Sequence, residues 1–436
     1  MKFKIHRGTK EIGGSCVEVW TDSTRILLDI GMPLVNPDGS DFDFKKYQNK
    51  SSVELVKENI LPDVQGIYKD SKKLIDGILI SHAHYDHFGF SQFLHEDSPY
   101  YLGEATQTMI KLNTIFTPNT DNIHKTNYIK HRKSFVIGDL TITPYLMDHS
   151  AFDAYAFLIE HDGKTLFYSG DFRAHGRKSA IFDEFLRKAK KVDYLLMEGT
   201  TLGRTPKGIK TEDFLENELA EKFKEKKTNL IYTSGQNIDR LVSIYRACKK
   251  SNKILVLDLY IASVLQEISK LQASIPHPGK DWSNIAVWYT KSLSDRLAEN
   301  NKDDLYRFKN FKIVKEDINE NPDKYVIVVR PYLKPYFEKH MPNIKDGNFI
   351  YSMWEGYLKK KNNYANNFID YLKNDRGFTQ YNIHTSGHAY TEDLKRLVRA
   401  LNPEKLIPIH TFESLMFEEY FENVHVLNDN EELEVR

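Results

Sequence analysis

Short apolar runs separated by turns characterise the first part of the chain, up to about Leu202. Turn sequences such as HDGK bound these runs, and apolar segments of this length between turn residues are typical of strands. The pattern therefore predicts a series of strands, suited to half of an αββα sandwich.

Beyond Leu202 the apolar positions change to helical spacing. GRTPKG is the predicted crossing into a helix that Thr211 can cap at its N-terminus. A strand in NLIYTSG, a helix from about Ile238 and a strand in KILVLD follow, and this alternation predicts a parallel sheet. The apolar residues at helical intervals in the first of these helices are Phe214, Leu215, Leu219 and Phe223.

Residues of metal-binding type stand just past one apolar run, from Leu74 to Ile80, which is predicted to be a buried strand. SHAHYDHFG begins at its end. Side chains two residues apart on an extended chain point the same way, so His82 and His84 can bind one cation together. Asp86 and His87 follow on a turn and can face a second cation.

Three more residues of these types close apolar runs elsewhere. His149 closes TITPYLMDHS, Asp171 closes KTLFYSGD and His410 closes KLIPIH, so we expect them at one edge of a sheet. A lone histidine in an apolar segment is more often a core residue, but the compact H-x-H-x-D-H run favours two catalytic metal ions. Imidazole and carboxylate ligands suit zinc and also manganese, and without cysteine a closed structural zinc site is a poor fit.

With these residues the chain resembles the metallo-β-lactamase superfamily over nearly its full length. The resemblance implies two divalent ions as cofactors, zinc first and manganese as the alternative. It also implies that Asp29, in RILLDIGMP, orients the ligands by contacting them from outside the metal shell, although the residue alone could be a turn carboxylate. By match, the ligands of one ion are His82, His84 and His149, those of the other include Asp86 and His87, and Asp171 lies between the ions.

Three further segments, MEGTTLG, HTSGHAY and PIHTF, resemble motifs A, B and C of the β-CASP nucleases, a branch that includes RNase J. The resemblance implies that His410 completes the shell of the second metal. It also implies catalytic roles for Glu198, which orients His388 near the scissile phosphate, and for Asp86. Taken alone, Glu198 could be a loop carboxylate, and His384 could compete with His388.

TSGQNIDR resembles the S-N-x-x-R stretch that RNase J uses near the 5′-phosphate of its substrate. It stands at a predicted strand-to-helix turn, where free backbone N–H groups favour anions. An ordinary helix cap followed by a surface arginine would fit the same residues. The residues expected to bind substrate phosphate are Ser234, Asn237 and Arg240 here, and Ser386 and Gly387 in HTSGHAY.

The chain departs from the RNase J pattern in two places. The T-G-S-Q-G-E-P segment has no convincing counterpart in VVRPYLKPYF or FIYSMWEGYLK, and the extension common in bacterial RNase J does not follow His410. Aromatic residues in these stretches could stack nucleobases or could belong to the core. They are Tyr332, Tyr336, Tyr351, Trp354 and Tyr357.

The predicted architecture is an α/β fold. A metallo-β-lactamase αββα sandwich carries an inserted α/β β-CASP domain built on a mostly parallel sheet. The predicted boundaries are 1–205 for the first part of the sandwich domain, 206–375 for the insertion and 376–436 for the C-terminal part. The last segment returns to the first domain because His388 and His410 must reach the metal site.

Charge and cysteine content bear on how the chain could bind phosphate and on the cellular compartment it suits. The 61 Lys and Arg residues balance 61 Asp and Glu residues, so phosphate binding needs local patches. RKAKK, KFKEKK and LKKK are candidates, and each also fits a solvated helix face. The two cysteines, Cys16 and Cys248, fit a reducing compartment. With neither a signal-peptide core nor an apolar run of transmembrane length, we expect a cytoplasmic protein without a membrane partner.

The sequence therefore predicts a two-metal phosphodiesterase acting on single-stranded nucleic acid, with RNA favoured over DNA as the partner. A 5′-to-3′ exonuclease is expected, and internal cleavage stays open. The alternatives are a DNA-processing nuclease of the same branch, a small-molecule hydrolase of the superfamily and a non-catalytic RNA-binding protein. A homodimer also stays open.

Overall fold

The computed structural model describes residues 1–36, 40–47, 49–117, 121, 123–204, 208–300, 302–359 and 364–436. Part of the predicted GRTPKG crossing, 205–207, and Lys360 and Lys361 of the LKKK patch lie outside the described residues. Within the described ranges, every helix is too short or too polar to cross a membrane.

Strands are spread along the whole chain. In chain order they are β1 Lys2–Arg7, β2 Cys16–Trp20, β3 Arg25–Leu28, β4 Gly77–Leu79, β5 Pro99–Leu102, β6 Lys125–Tyr128, β7 Phe135–Ile137, β8 Leu140–Met147, β9 Ala154–His161, β10 Lys164–Tyr168, β11 Tyr194–Glu198, β12 Asn229–Tyr232, β13 Ile254–Asp258, β14 Ile285–Trp288, β15 Lys312–Ile313, β16 Tyr325–Val328, β17 Asn348–Tyr351, β18 Thr379–Asn382, β19 Lys405–Ile409 and β20 Glu432–Glu434.

Helices alternate with many of these strands. The α-helices are α1 Ser52–Lys57, α2 Tyr85–Phe88, α3 Glu104–Phe116, α4 Ser179–Lys188, α5 Glu212–Lys224, α6 Ile238–Lys250, α7 Leu259–Leu271, α8 Lys291–Asn300, α9 Lys302–Leu305, α10 Lys315–Glu320, α11 Lys334–His340, α12 Tyr364–Asp370, α13 Thr391–Leu401 and α14 Phe417–Tyr420.

The chain divides into two compact units. Unit 1 comprises Met1–Ile110, Asn119–Lys207 and Gly387–Arg436, and unit 2 comprises Lys111–Pro118 and Gly208–Ser386. The hydrophobic pattern gave no sign that the end of α3 would join unit 2. That these units are the predicted sandwich domain and its insertion remains a proposal.

Unit 1 is built on two sheets. The first has the order β20-β1-β2-β3-β4-β5-β6, antiparallel from β20 to β3 and parallel from β3 to β6. The second has the order β19-β11-β10-β9-β8-β7, antiparallel from β7 to β10 and parallel from β10 to β19. Both sheets contribute to one apolar core, in which Val17 and Leu28 cluster with Phe157 and Leu196.

Helices α4 and α13 cover the second sheet on its other face. Phe185 of α4 and Leu397 of α13 cluster there with Phe167 and Leu195 of the sheet. Alternate residues of a strand point to opposite faces, so Leu195 and Leu196 can serve these two different cores. The predicted α/β class is confirmed.

Unit 2 contains one parallel sheet with the order β15-β14-β13-β16-β12-β17-β18. Every neighbouring pair in it is parallel. Near-continuous apolar strands such as β13 and β16 suit a sheet buried on both faces. The parallel sheet predicted from the strand-helix alternation is confirmed.

Two local expectations need correction. The predicted strand from Leu74 to Ile80 is shorter, because the N–H of Leu74 bonds to Gly66 and that of Asp76 to Arg25 before the strand ladder starts at Gly77. In α5, Thr211 caps the helix as predicted, with its side chain accepting from the N–H of Phe214. Phe214 itself is 53% exposed, since it lies beside the buried stripe that Leu215, Leu219 and Phe223 form.

Candidate metal centre

The predicted site residues of unit 1 stand at the carboxyl ends of its strands. Parallel strands bring their carboxyl ends to one edge of a sheet, so residues distant in sequence meet there. Asp29 follows β3, His82 comes after β4, His149 after β8, Asp171 after β10, Glu198 ends β11 and His410 follows β19.

One group of ligand atoms comes from three histidines and Asp171. Nε2 of His82 lies 3.0 Å from Nδ1 of His84, which lies 3.3 Å from Nε2 of His149. All four residues offer a ligand atom within 4.8 Å of one another. Burial holds the pKa of His82 and of His149 well below the usual range and lowers that of His84 to about 4, which keeps these rings neutral. Neutral imidazoles have the lone pairs that a cation needs.

A second group consists of Asp86, His87 and His410, again within 4.8 Å of one another. Nε2 of His410 lies 3.4 Å from Oδ2 of Asp86. Burial alone would lower the pKa of His87, but the neighbouring carboxylates of Asp171 and Asp29 outweigh it and raise that pKa well above its usual value. The same two carboxylates that raise this pKa would also attract a bound cation.

Asp171 lies between the two groups. Its Oδ2 is 3.2 Å from Nε2 of His87 and 3.8 Å from Nε2 of His82, and its Oδ1 is 3.7 Å from Nδ1 of His410. Burial would raise the pKa of Asp171, but His410, His87 and His388 hold it well below its usual range. Both buried oxygens of Asp171 and Nε2 of His87 make no hydrogen bond of good geometry among the described residues, although Oδ2 and this Nε2 form an ion pair at 3.2 Å. Such groups are costly to bury, and two bound cations would satisfy them, so the donor set fits the implied metals.

Asp29 supports His87 from behind. Its Oδ2 lies 2.8 Å from Nδ1 of His87 and also accepts from Oγ of Ser81 and from the hydroxyl of Tyr168. Asp29 is fully buried and has a φ of 58°, a left-handed conformation that aspartate tolerates better than most residues. Sequence reasoning missed Tyr168, although it stands three residues before Asp171 in KTLFYSGD.

The segment after Asp29 packs directly on the segment that contains Asp86. Ile30 donates to the carbonyl of His87, and Met32 donates to that of Tyr85. A Cβ on Gly31 would lie 1.6 Å from the carbonyl oxygen of Asp86, so only glycine permits this approach.

Glu198 and His388 lie beside the candidate metal ligands. Oε2 of Glu198 is 3.1 Å from Nδ1 of His388, and the carboxylate also accepts from the N–H groups of Phe172 and Thr200. Burial would lower the pKa of His388, but Glu198 and Asp171 raise it to about 9. This arrangement gives a protonated imidazole next to a candidate metal centre.

Two further residues lie beside candidate ligands and were not singled out from the sequence. Oγ1 of Thr200 lies 2.9 Å from Nδ1 of His410. Asp148, the neighbour of His149, accepts from the N–H of Gly176 and lies 3.5 Å from Nε of the fully buried Arg173. Thr200 stands two residues after Glu198, so the matched segment contained it without any chemical signal that pointed to it.

The residues predicted to bind phosphate are placed differently from one another. Ser234 and Asn237 bond to backbone groups at the start of α6. The hydroxyl of Ser234 accepts from the N–H of Gln236, and the amide oxygen of Asn237 accepts from the N–H of Arg240. In unit 1, a Cβ on Gly387 would lie 2.6 Å from Oγ of Ser150 and 3.7 Å from Cε1 of His149. Ser386 belongs to unit 2.

Arg240 is fully buried rather than at the surface. Its Nε and Nη2 lie 3.1 and 3.0 Å from the two oxygens of Glu212, and Nη1 donates to the hydroxyl of Ser352. A bidentate buried ion pair accounts for its presence without any ligand. The phosphate-binding role of Arg240 stays a prediction, and phosphate would have to replace Glu212.

Several lysines of the predicted basic patches form ion pairs with acidic neighbours. Lys188 pairs with Glu184, Lys224 pairs with Glu221, and both Lys222 and Lys227 pair with Glu225. These contacts fit the solvated-face interpretation of RKAKK and KFKEKK. Lys359 is the lysine of LKKK that the described residues include.

Family profiles match two parts of the chain. One profile, the beta-lactamase superfamily domain, matches residues 58–227. A second profile, the Zn-dependent metallo-hydrolase RNA specificity domain, matches residues 379–427, which include His388 and His410.

The chain is also similar to curated proteins and to a solved structure. It is 25% identical to an RNase J-like protein of Methanocaldococcus jannaschii, over 95% of this chain and 94% of that protein. It is 24% identical to ribonuclease J of Helicobacter pylori over 92% of this chain, and there it spans 55% of the relative's length. A crystal structure of a protein of unknown function from Enterococcus faecalis V583 shares the fold, with a TM-score of 0.77, 20% identity and 99% coverage of both chains.

The family follows from these matches together with the site. A superfamily profile covers the strand ends that hold His82 to Asp171, an RNA-specificity profile covers the C-terminal motifs, and RNase J-like relatives extend over nearly the whole chain. The chain therefore belongs to the metallo-β-lactamase superfamily, in its β-CASP branch of metal-dependent RNA nucleases.

Proposed function

We propose that this RNA nuclease works with two divalent ions held by one continuous ligand set. Asp171 carries the proposal, because its buried carboxylate lies 3.8 Å from His82 of the first ligand group, and 3.2 and 3.7 Å from His87 and His410 of the second. The ligands of the first ion are His82, His84 and His149, those of the second are Asp86, His87 and His410, and Asp171 reaches both.

The chain's own residues would prepare the reaction. Bound divalent ions supply positive charge beside the scissile phosphate and a water nucleophile at neutral pH. His388 holds a proton, since Glu198 accepts at Nδ1 and leaves Nε2 as the atom that can give a proton to the leaving oxygen. Asp29 fixes the ring of His87 through Nδ1, so that Nε2 stays directed towards Asp171.

Zinc is the proposed metal, with manganese as the alternative. The six proposed ligands other than Asp171 are five imidazoles and one carboxylate, a set that suits zinc and does not exclude manganese. Reconstituting chelator-treated protein with each metal and measuring RNA hydrolysis tests this choice. Activity with manganese alone would reverse it.

Single-stranded RNA is the proposed substrate. The RNA-specificity profile and the RNase J-like relatives support RNA, and nothing in the comparisons supports DNA or a homodimer. End-labelled RNA and DNA of one sequence, together with a thioester and a lactam, separate the alternatives. Faster hydrolysis of DNA would assign a DNA-processing nuclease, and turnover of the small molecules alone would assign a metallo-hydrolase of another kind.

We further propose that cleavage proceeds from the 5′ end, with the terminal phosphate bound by residues of the α6 turn and of HTSGHAY. The resemblance of TSGQNIDR to the RNase J stretch supports this, whereas the buried pairing of Arg240 with Glu212 does not. The proposed residues are Ser234, Asn237, Arg240, Ser386 and Gly387. Time courses on a circular RNA and its linear 5′-monophosphate counterpart test the direction, and efficient cutting of the circle would show internal cleavage.

The proposed location is the cytoplasm. Cys16 and Cys248 are both buried free thiols, which suits a reducing compartment. Cell fractionation with an antibody against the chain tests the location, and size-exclusion chromatography with light scattering tests the homodimer that the sequence left open.

A further inference from the structure

Two aromatic side chains are exposed beyond the end of β17 in unit 2. Trp354 is 45% exposed and Tyr357 is 40% exposed. Their ring centroids lie 5.3 Å apart and their planes are nearly perpendicular, at 85°. Trp and Tyr side chains are enriched at binding interfaces, because each combines a large apolar face with a polar group.

The other aromatic residues singled out in the sequence have internal roles. Tyr351 is buried, and its ring stacks on that of Tyr232 at 5.8 Å. The hydroxyl of Tyr332 donates to Asp258, and the hydroxyl of Tyr336 accepts from the N–H of Lys291. Trp354 and Tyr357 thus differ from these residues in their exposure to solvent.

The exposed pair is held in place by the chain around it. The hydroxyl of Tyr351 donates to the carbonyl of Trp354 at 3.4 Å, and Glu355 accepts from the side chain of Asn382 at 2.9 Å. A Cβ on Gly356 would lie 2.2 Å from Cη2 of Trp354, so the indole rests directly on this glycine. A short 3-10 helix, Glu355–Lys359, then carries Tyr357.

Cations accompany the aromatic pair. The sequence continues with Lys359, Lys360 and Lys361 directly after Leu358. Unlike Lys222 and Lys224 of KFKEKK, Lys359 has no ion pair within the described residues. Arg330 follows β16, the second neighbour of β17 in the parallel sheet, and its Cζ lies 5.4 Å from the ring centroid of Tyr232.

We propose that Trp354 and Tyr357, with Lys359 beside them, form a base-stacking platform for single-stranded RNA on unit 2. Unpaired bases offer their faces to aromatic rings, and a lysine such as Lys359 neutralises phosphates between the bases. Because every base has such a face, the platform tolerates any sequence and discriminates against double strands, whose bases are already stacked. This inference rests on the proposed action on RNA.

Affinity for RNA tests the platform. Kd for a single-stranded oligouridylate is measured by fluorescence anisotropy on the metal-loaded full chain, with His388→Ala present in every protein to prevent cleavage. Trp354→Ala and Tyr357→Ala should each weaken binding roughly 5- to 30-fold, the usual effect of losing one stacking ring. Trp354→Phe should restore most of it. The matched control is Tyr306→Ala, which removes a ring that is 65% exposed elsewhere in unit 2 and should leave Kd unchanged.

A second measurement separates binding from folding. On the otherwise native chain, Trp354→Ala should raise KM for a long RNA while kcat changes less, with the melting temperature close to that of Trp354→Phe. RNA should also quench the tryptophan fluorescence of the parent protein more than that of Trp354→Phe.

The outcomes distinguish this inference from the function on which it rests. A parent protein that neither binds nor cleaves RNA overturns both. Normal RNA cleavage with unchanged Kd in Trp354→Ala and Tyr357→Ala overturns the platform alone. If these variants instead lose a dimer that the parent forms in sedimentation, the exposed pair is an interface between copies and the platform is again overturned.

Discussion

Oδ2 of Asp29 lies 2.8 Å from Nδ1 of His87, and Nε2 of the same ring lies 3.2 Å from Asp171. One carboxylate thus fixes the orientation of a ring whose other nitrogen belongs to the candidate metal centre. Asp29 also accepts hydrogen bonds from the N–H and the hydroxyl of Ser81, which stands directly before His82.

Asp29→Asn should lower metal affinity by about 10- to 100-fold, the usual effect of losing a carboxylate behind a ligating histidine. The amide keeps the size of the side chain but cannot stabilise the correct form of His87 with a full negative charge. Competition with a chelator of known affinity measures the change. The exposed Asp22→Asn is the control, and equal affinity in the two variants would remove Asp29 from the site.

His388 and His410 should fail in different ways. His388→Ala should lower turnover by about a hundredfold or more with near-normal metal content, because it removes a proton donor. His410→Ala should lose metal, because its ring faces Asp86 and Asp171. Elemental analysis measures the metal content of each variant, and an RNA hydrolysis assay measures its turnover. Metal loss in His388→Ala with retention in His410→Ala would mean that the two roles are reversed.

Arg240→Ala should destabilise the protein by roughly 3 kcal/mol or more, because it leaves Glu212 buried without its cation. Arg240→Met combined with Glu212→Leu removes both charges and should recover part of the loss. Urea unfolding measures both. If Arg240→Ala instead keeps full stability but loses a preference for 5′-monophosphate RNA, Arg240 is a phosphate ligand, as the sequence indicates.

Asp153 should make stability fall as pH rises in the acid range. Burial raises the pKa of Asp153 to about 6, although hydrogen bonds with Tyr155, Thr106 and Ala105 act to lower it. Because this carboxyl binds a proton more tightly in the folded state, protonation stabilises the folded protein. The contribution is complete below the unfolded-state pKa of about 4 and is lost as the pH rises to about 6.

Asp153→Asn should therefore gain stability relative to the parent between pH 4 and 6, by up to roughly 3 kcal/mol. Urea unfolding at several pH values measures the difference. Asp162→Asn is the control, since Asp162 also has a positive φ, 48°, but its side chain is 89% exposed. A constant difference between parent and Asp153→Asn over this range would contradict the account.

The proposed metal ligands could be predicted from the sequence because they follow apolar runs. His82, His149, Asp171 and His410 stand after strands whose carboxyl ends meet, so strand pattern and residue type together indicated one site. The parallel sheet of unit 2 was likewise visible in the alternation of strands and helices.

The contact partners of buried polar side chains could not be predicted from the sequence. Arg240 looked like a surface cation, because nothing in TSGQNIDR signals that Glu212, 28 positions earlier, pairs with it. Tyr168 and Thr200 look like ordinary polar residues until Asp29 and His410 lie against them. The spacing of the aromatic residues also does not distinguish the exposed Trp354 from the buried Tyr351. The burial of each ring depends on packing against strands that are distant in sequence.

Metal content and RNA hydrolysis of Asp171→Asn, measured on one preparation beside the parent protein, test the central claim most directly. The account predicts up to two divalent ions in the parent, a clear loss of metal in the variant, and almost no RNA hydrolysis by it. Full RNA hydrolysis by Asp171→Asn, or by parent protein stripped of metal, would contradict a two-metal reaction on this ligand set.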